Sequence, residues 1–195
     1  MRYLGESKKV IMVGIAGVGK TTLVAKIVEL LNHRNKSVSV HSFGTVMFEE
    51  AKKLGIKDRD ELRKLPLTQQ KDLQKKAAKK ISGFDDNVVI IDTHAFIATN
   101  EGFYPGLPYN VLEELKPANF ITVSARPEEI YNRRMKDTTR NRDLVSIDSI
   151  KKELAVQDSM LSSCAVLTGS PLKSILNTEG KVEEAANEVI NAIGL

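Results

Sequence analysis

Short apolar runs recur along the chain, separated by longer stretches in which apolar residues return at helical spacing. The runs are Val10-Ile11-Met12-Val13, Val38-Ser39-Val40-His41, Val88-Val89-Ile90-Ile91, Phe120-Ile121-Thr122-Val123 and Leu172-Lys173-Ser174-Ile175-Leu176. The first is the kind of segment that forms a strand buried on both faces. Helical patterns lie between the runs, as in residues 23–31, where Leu23, Val24, Ile27, Leu30 and Leu31 share one stripe. This alternation predicts an α/β fold, a five-stranded and mainly parallel sheet covered by helices on both faces. The spacing is uneven. A single helix joins the first two strands, but about 45 residues rich in Lys, Glu, Leu, Ala and Gln separate the second from the third. That length exceeds one crossover, so residues 44–80 read as a helical insertion on the sheet's edge. A charged segment near residues 134–145 falls between two helices, and a last helix near residues 182–193 closes the fold. The whole chain reads as one domain, with its core in residues 1–43, 81–133 and 146–195.

Composition narrows the class. A chain of 195 residues with 42% hydrophobic and 28% charged residues suits one globular domain. No apolar run approaches the roughly 20 residues needed to span a bilayer. The polar first nine residues carry no signal-peptide pattern. The single cysteine, Cys164, fits a reducing cytoplasm, and its apolar neighbours predict a buried, inert thiol. A net charge of +4 suits anionic substrates without by itself supporting nucleic-acid binding.

The first strand runs into Gly14-Ile15-Ala16-Gly17-Val18-Gly19-Lys20-Thr21-Thr22, which matches G-x-x-x-x-G-K-[ST] at every fixed position. Strand, glycine-rich turn and helix are what a phosphate-binding loop requires. Glycines let the backbone wrap an anion, so that N–H groups point inward at a helix N-terminus. These nine residues are the candidate ATP-binding loop. In it Lys20 neutralises the outer phosphates and the Thr21 hydroxyl reaches a magnesium ion. The expected fold is therefore that of the P-loop NTPases. The third strand closes on Asp92, expected to hold Mg2+ with Thr21 or else to cap the following turn.

Four arginines lie in or just before the charged segment. Arg140 and Arg142 stand two apart in the charged segment, and Arg133 and Arg134 precede it. In an extended segment residues two apart point the same way, so Arg140 and Arg142 are candidate catalytic residues of a short lid, with Arg133 as a third. The competing reading is a solvated charged turn. On the acceptor side, Gly44, Thr45 and Met47 follow the second strand at the sheet's C-terminal edge, where ligands sit. Thr45 could equally cap a helix. Arg59 and Arg63 lie four apart, and either could grip an acceptor phosphate. His94 follows Asp92 at the same edge. The basic run Lys71 to Lys80 has no interleaved aromatic residues and reads as a solvated helix face rather than a nucleic-acid site.

Taken in order, these motifs resemble the archaeal adenylate kinase family over nearly the whole chain. The residues that carry the resemblance are the loop at 14–22, Phe43-Gly44-Thr45-Val46-Met47, and Arg59-Asp60-Glu61-Leu62-Arg63-Lys64-Leu65-Pro66. Ile91-Asp92-Thr93-His94-Ala95 and Gly102-Phe103-Tyr104-Pro105-Gly106-Leu107-Pro108 follow. Arg133-Arg134, Asp137-Thr138-Thr139-Arg140-Asn141-Arg142-Asp143 and Val166-Leu167-Thr168-Gly169 complete it. The resemblance implies reversible transfer of a phosphoryl group from MgATP to AMP, giving two ADP, in a cytoplasmic homotrimer. Lys136 stands where the family's lid run has arginine, keeping the charge but losing the planar fork. Ala16 stands where proline is frequent, and the Gly-Phe-Pro-Arg turn of bacterial adenylate kinases is absent. Two other readings stay open: a P-loop kinase for another nucleoside monophosphate, and a nucleotide-gated assembly ATPase.

Overall fold

The computed structural model describes residues 7–99, 101–136 and 146–195. Strand β1 (Lys8–Val13) leads through the glycine loop into α1 (Lys20–His33), and β2 (Val38–Ser42) runs directly into α2 (Phe43–Lys52). Then come α3 (Arg59–Lys64), α4 (Leu67–Ser82), β3 (Val88–Thr93) and a hairpin of β4 (Phe96–Thr99) and β5 (Gly102–Pro105). The chain continues with α5 (Tyr109–Leu115), β6 (Asn119–Ser124), α6 (Pro127–Lys136), α7 (Ile147–Thr168), β7 (Leu172–Leu176) and α8 (Val182–Ala192).

The main sheet has the order β2-β3-β1-β6-β7 and is parallel throughout. This is the five-stranded helix-flanked sheet that the apolar runs predict, with β3 beside β1. The runs of the three central strands, β1, β3 and β6, are nearly continuous because both faces are covered there. Val10, Met12, Val88, Ile90, Ile121 and Val123 pack with Leu23, Ile27 and Leu31 of α1 and Ala186, Val189 and Ile190 of α8. Alternate residues Ile11, Val13, Val89, Ile91 and Phe120 face the other way, onto α2, α4, α5 and the C-terminal half of α7. Cys164 belongs to that second core, and burial pushes its thiol pKa up.

Residues 44–80 are mostly helical, but α2 and α4 do more than stand at an edge. Val46, Met47, Leu73, Ala77, Ala78 and Ile81 line one face of the sheet, leaving the exposed stretch around residues 52–59 as the projecting part. The run of lysines on α4 masks that buried stripe. Two of them pair with acids, Lys76 with Asp72 and Lys80 with Glu49. The β4–β5 hairpin is not anticipated by the apolar runs. Among the described residues no helix is long and apolar enough to cross a membrane.

Candidate active site at the C-terminal edge of the sheet

Register brings the candidate residues together. Met12 and Ser42 both pair with Asp92, so the glycine loop, the start of α2 and the end of β3 emerge side by side. Ser124 pairs with Leu176, placing Asn177 at the same edge on the far side of β1. This is where open α/β sheets bind their ligands.

The loop is a left-handed turn capping α1. Gly17 and Gly19 have φ of 93° and 80°, and Gly19 is the α1 N-cap. A Cβ on Gly19 would stand 2.6 Å from the Asn177 amide nitrogen, so glycine is required there by both conformation and space. Lys20 extends across the loop mouth, donates to the Thr93 carbonyl at 2.9 Å and forms an ion pair with the buried Oδ1 of Asp92. Its side chain is 11% exposed and that of Asp92 35%. The two residues expected to act on the phosphates and the metal are therefore in direct contact.

Thr21 lies exposed in the first turn of α1. A hydroxyl and one carboxylate are hard oxygen donors of the kind Mg2+ takes when substrate phosphates supply further ligands. Among the described residues no group of three or more His, Cys, Asp or Glu side chains forms a cage. The donor set thus fits a metal that is held jointly with a nucleotide.

On the outer side of the loop three carbonyls in succession are held by side chains. Arg134 Nε donates to Ala16 O at 2.8 Å, Arg133 Nη1 to Gly17 O at 3.3 Å, and Asn177 Nδ2 to Val18 O at 2.8 Å. Arg133 also reaches Asn177 O and the Glu129 carboxylate, both at 3.4 Å. Arg134 is aligned by Glu153 of α7 at 2.7 Å. Gln157, one turn further along α7, is buried and donates to Thr122 Oγ1 at 2.8 Å, which itself donates to Asp158. That buried chain fixes α7 against β6. Arg133, expected at the phosphates, thus meets the loop from its carbonyl side. A sequence does not reveal the direction of a helical side chain. Arg140 and Arg142 lie outside the described residues.

A cavity of about 190 Å³ opens beside the loop, lined by Gly14, Ile15 and Ala16, by His94, Ala95, Phe96 and Ala98, and by Glu153 and Gln157. His94 is therefore brought to the loop. Opposite it, Gly106 crosses so closely that an added Cβ would fall on the His94 carbonyl oxygen.

At the start of α2, Gly44 is exposed and Met47 is buried. Ser42 occupies the helix N-cap without a side-chain hydrogen bond, so Thr45 is not the cap. Instead its hydroxyl accepts from Arg59 Nη2 at 2.8 Å, and the same guanidinium stands 5.8 Å from the Phe48 ring centroid. Two expected acceptor-side residues are joined in this way. Arg63 lies on the same short helix, α3. Sequence reasoning missed Phe48, Asn177 and Glu153. For Asn177 a signal was available, since a polar residue directly follows an apolar strand at the edge that Asp92 also occupies.

Comparison with known proteins agrees with this geometry. A family model described as an AAA domain matches residues 13–151. The chain is 41% identical over 190 residues to the adenylate kinase of Methanocaldococcus jannaschii, covering 96% of this chain and 99% of that one. To the adenylate kinase of Thermoplasma acidophilum it is 39% identical over 186 residues, covering 95% and 98%. The solved shikimate kinase of Bacteroides thetaiotaomicron superposes with a TM-score of 0.60 at 16% identity, covering 96% of this chain and 99% of that one, a likeness of fold alone. The phosphate loop between β1 and α1, the parallel sheet behind it and near-full-length identity to these relatives together mean that the chain belongs to the archaeal adenylate kinase family.

Proposed function

We propose that the chain catalyses reversible, magnesium-dependent phosphoryl transfer from ATP to AMP. A phosphate oxygen of AMP attacks the γ-phosphorus of ATP, the bond to the β-bridging oxygen breaks, and two ADP result. The observation that carries this reading is the meeting of Lys20 with Asp92 at the loop mouth, in a chain similar over its full length to adenylate kinases. The amides of residues 14–22 grip the donor's phosphates, and Lys20 leaves Asp92 to neutralise charge on the transferring group. Thr21 and Asp92 would hold the Mg2+, which when bound would supply positive charge against the phosphate oxygens. Arg140 and Arg142 supply further positive charge around the donor, with Arg133 behind the loop on its carbonyl side. Gly44, Thr45, Met47, Arg59, Arg63 and His94 form the AMP side, with the Thr45–Arg59 pair as its polar anchor.

The resemblance also implies a cytoplasmic homotrimer. Light scattering should return about three times the chain mass of 21.6 kDa, and a single-chain mass contradicts the trimer. The activity is tested by coupled assay of ADP formation with AMP, CMP, UMP and dTMP in turn. AMP is expected to accelerate ATP consumption by orders of magnitude over ATP alone. Equal acceleration by another monophosphate assigns a different acceptor. ATP consumption indifferent to every acceptor marks a nucleotide-gated ATPase and overturns the proposal.

A further inference from the structure

A trans peptide points its carbonyl and the next N–H in opposite directions. Holding the carbonyls of Ala16 and Val18 outward therefore aims the N–H groups of Gly17 and Gly19 into the loop. Neither of these amides has an acceptor among the described residues, whereas Val18 N–H makes a long turn bond to Ile15 O at 3.4 Å. The outward carbonyls are held from two different elements: Arg134 sits on α6, and Asn177 follows β7. Both side chains are held by their surroundings. Asn177 is 5% exposed and its backbone N–H donates to Ser124 O at 2.8 Å. The Arg134 side chain is 10% exposed, bridging Ala16 O to the Glu153 carboxylate.

We infer that Arg134 and Asn177 are positioning residues, which preorganise the phosphate cradle by clamping its outer carbonyls, with Glu153 aligning Arg134. Neither group touches substrate. Without them a loop with two left-handed glycines samples many conformations, and the nucleotide must order it on binding. The clamp removes that cost before the ligand arrives. A guanidinium on a carbonyl also polarises the peptide, which strengthens its N–H as a donor to anions. The clamp engages the polyphosphate only through the loop, so it leaves the AMP side untouched. Ala16, where proline would have stiffened the turn, leaves more of this task to the clamp. The inference rests on reading residues 14–22 as the donor phosphate cradle.

The test is calorimetric titration of the full chain with inorganic tripolyphosphate and, separately, with AMP. Asn177→Ala and Arg134→Ala are each expected to weaken tripolyphosphate about tenfold, the size of one lost hydrogen bond in a preorganised site. AMP affinity should stay within twofold. In steady-state kinetics both variants should raise the KM for ATP more than they lower kcat. Glu153→Gln keeps the shape of its side chain and guards against misfolding in the larger truncations. It should weaken tripolyphosphate two- to fivefold, and have no further effect in an Arg134→Ala background. Tripolyphosphate affinities unchanged in all three variants overturn the clamp while leaving the cradle intact. A loss of AMP affinity in parallel with tripolyphosphate affinity makes these residues merely structural and also overturns it. Failure of the unmodified protein to bind tripolyphosphate overturns the cradle reading and the clamp with it.

Discussion

Lys20→Ala separates charge stabilisation from folding, because the structure gives both effects a size. The Lys20 side chain is 11% exposed, so an effective dielectric near that of a partly buried site applies rather than that of water. A unit charge about 4 Å from a transferring phosphate then contributes roughly 4 kcal/mol. If this is realised chiefly in the transition state, its loss lowers kcat, and kcat/KM with it, by about 10³. The variant also strips Asp92 of its cation. The Asp92 side chain is 35% exposed, so solvent screens it, and the folding cost is about 1 kcal/mol or less. For a chain of this size that is a fall of about 2–4 °C in Tm. The assay is coupled ADP formation at saturating ATP and AMP, with a thermal melt of each sample. Adding Asp92→Asn should restore the Tm, because the uncompensated carboxylate is gone, but not the turnover. Activity within tenfold of the unmodified protein, in a folded Lys20→Ala sample, would refute the electrostatic argument.

Three further outcomes follow from particular contacts. Arg59→Ala removes the partner of the Thr45 hydroxyl, and should raise the KM for AMP about tenfold while leaving the KM for ATP within twofold; a change confined to ATP contradicts the acceptor assignment. Gly106→Ala drives a Cβ into the backbone carbonyl of His94, where no flexible side chain can yield. It should cost about 2 kcal/mol and roughly 4–8 °C in Tm, and an unchanged melt shows that the crossing can open freely. His41 stacks on Phe84 at 3.8 Å, and burial lowers its pKa, against raising by Asp86 and Glu49 and further lowering by Lys80. A depressed folded pKa means that the unfolded chain binds the proton more readily, so stability is lost as pH falls through 6.5 and below. His41→Phe lacks that loss, so its Tm relative to the unmodified protein should rise between pH 8 and pH 5; a constant difference contradicts the burial effect.

The parts of this molecule that were legible in its sequence are those that local pattern determines. The apolar runs of β1, β3 and β6 are buried, and their near-unbroken character announces them. The phosphate loop is legible because anion binding by backbone demands glycines at fixed spacing, and Asp92 because an acid ends a buried strand. The hairpin at residues 96–105 left little trace: its strands are four residues each, with Ile97 and Tyr104 exposed and turn residues at both ends. Length alone suggested that residues 44–80 leave the core, whereas the stripe of Leu73, Ala77 and Ile81, hidden among lysines, returns α4 to the sheet. The clamp on the loop was the least legible of all. Arg133, Arg134, Glu153 and Asn177 meet only through the packing of α6, α7 and the end of β7. No spacing encodes which way an arginine on α6 turns.

One site is expected to hold a donor polyphosphate in the glycine loop and an adenosine monophosphate opposite it. Titration calorimetry with two adenosines joined by five phosphates tests this most directly. One molecule should bind per chain, orders of magnitude more tightly than ATP or AMP alone, with excess of either nucleotide competing. An affinity no greater than that of ATP, with AMP unable to compete, would contradict it.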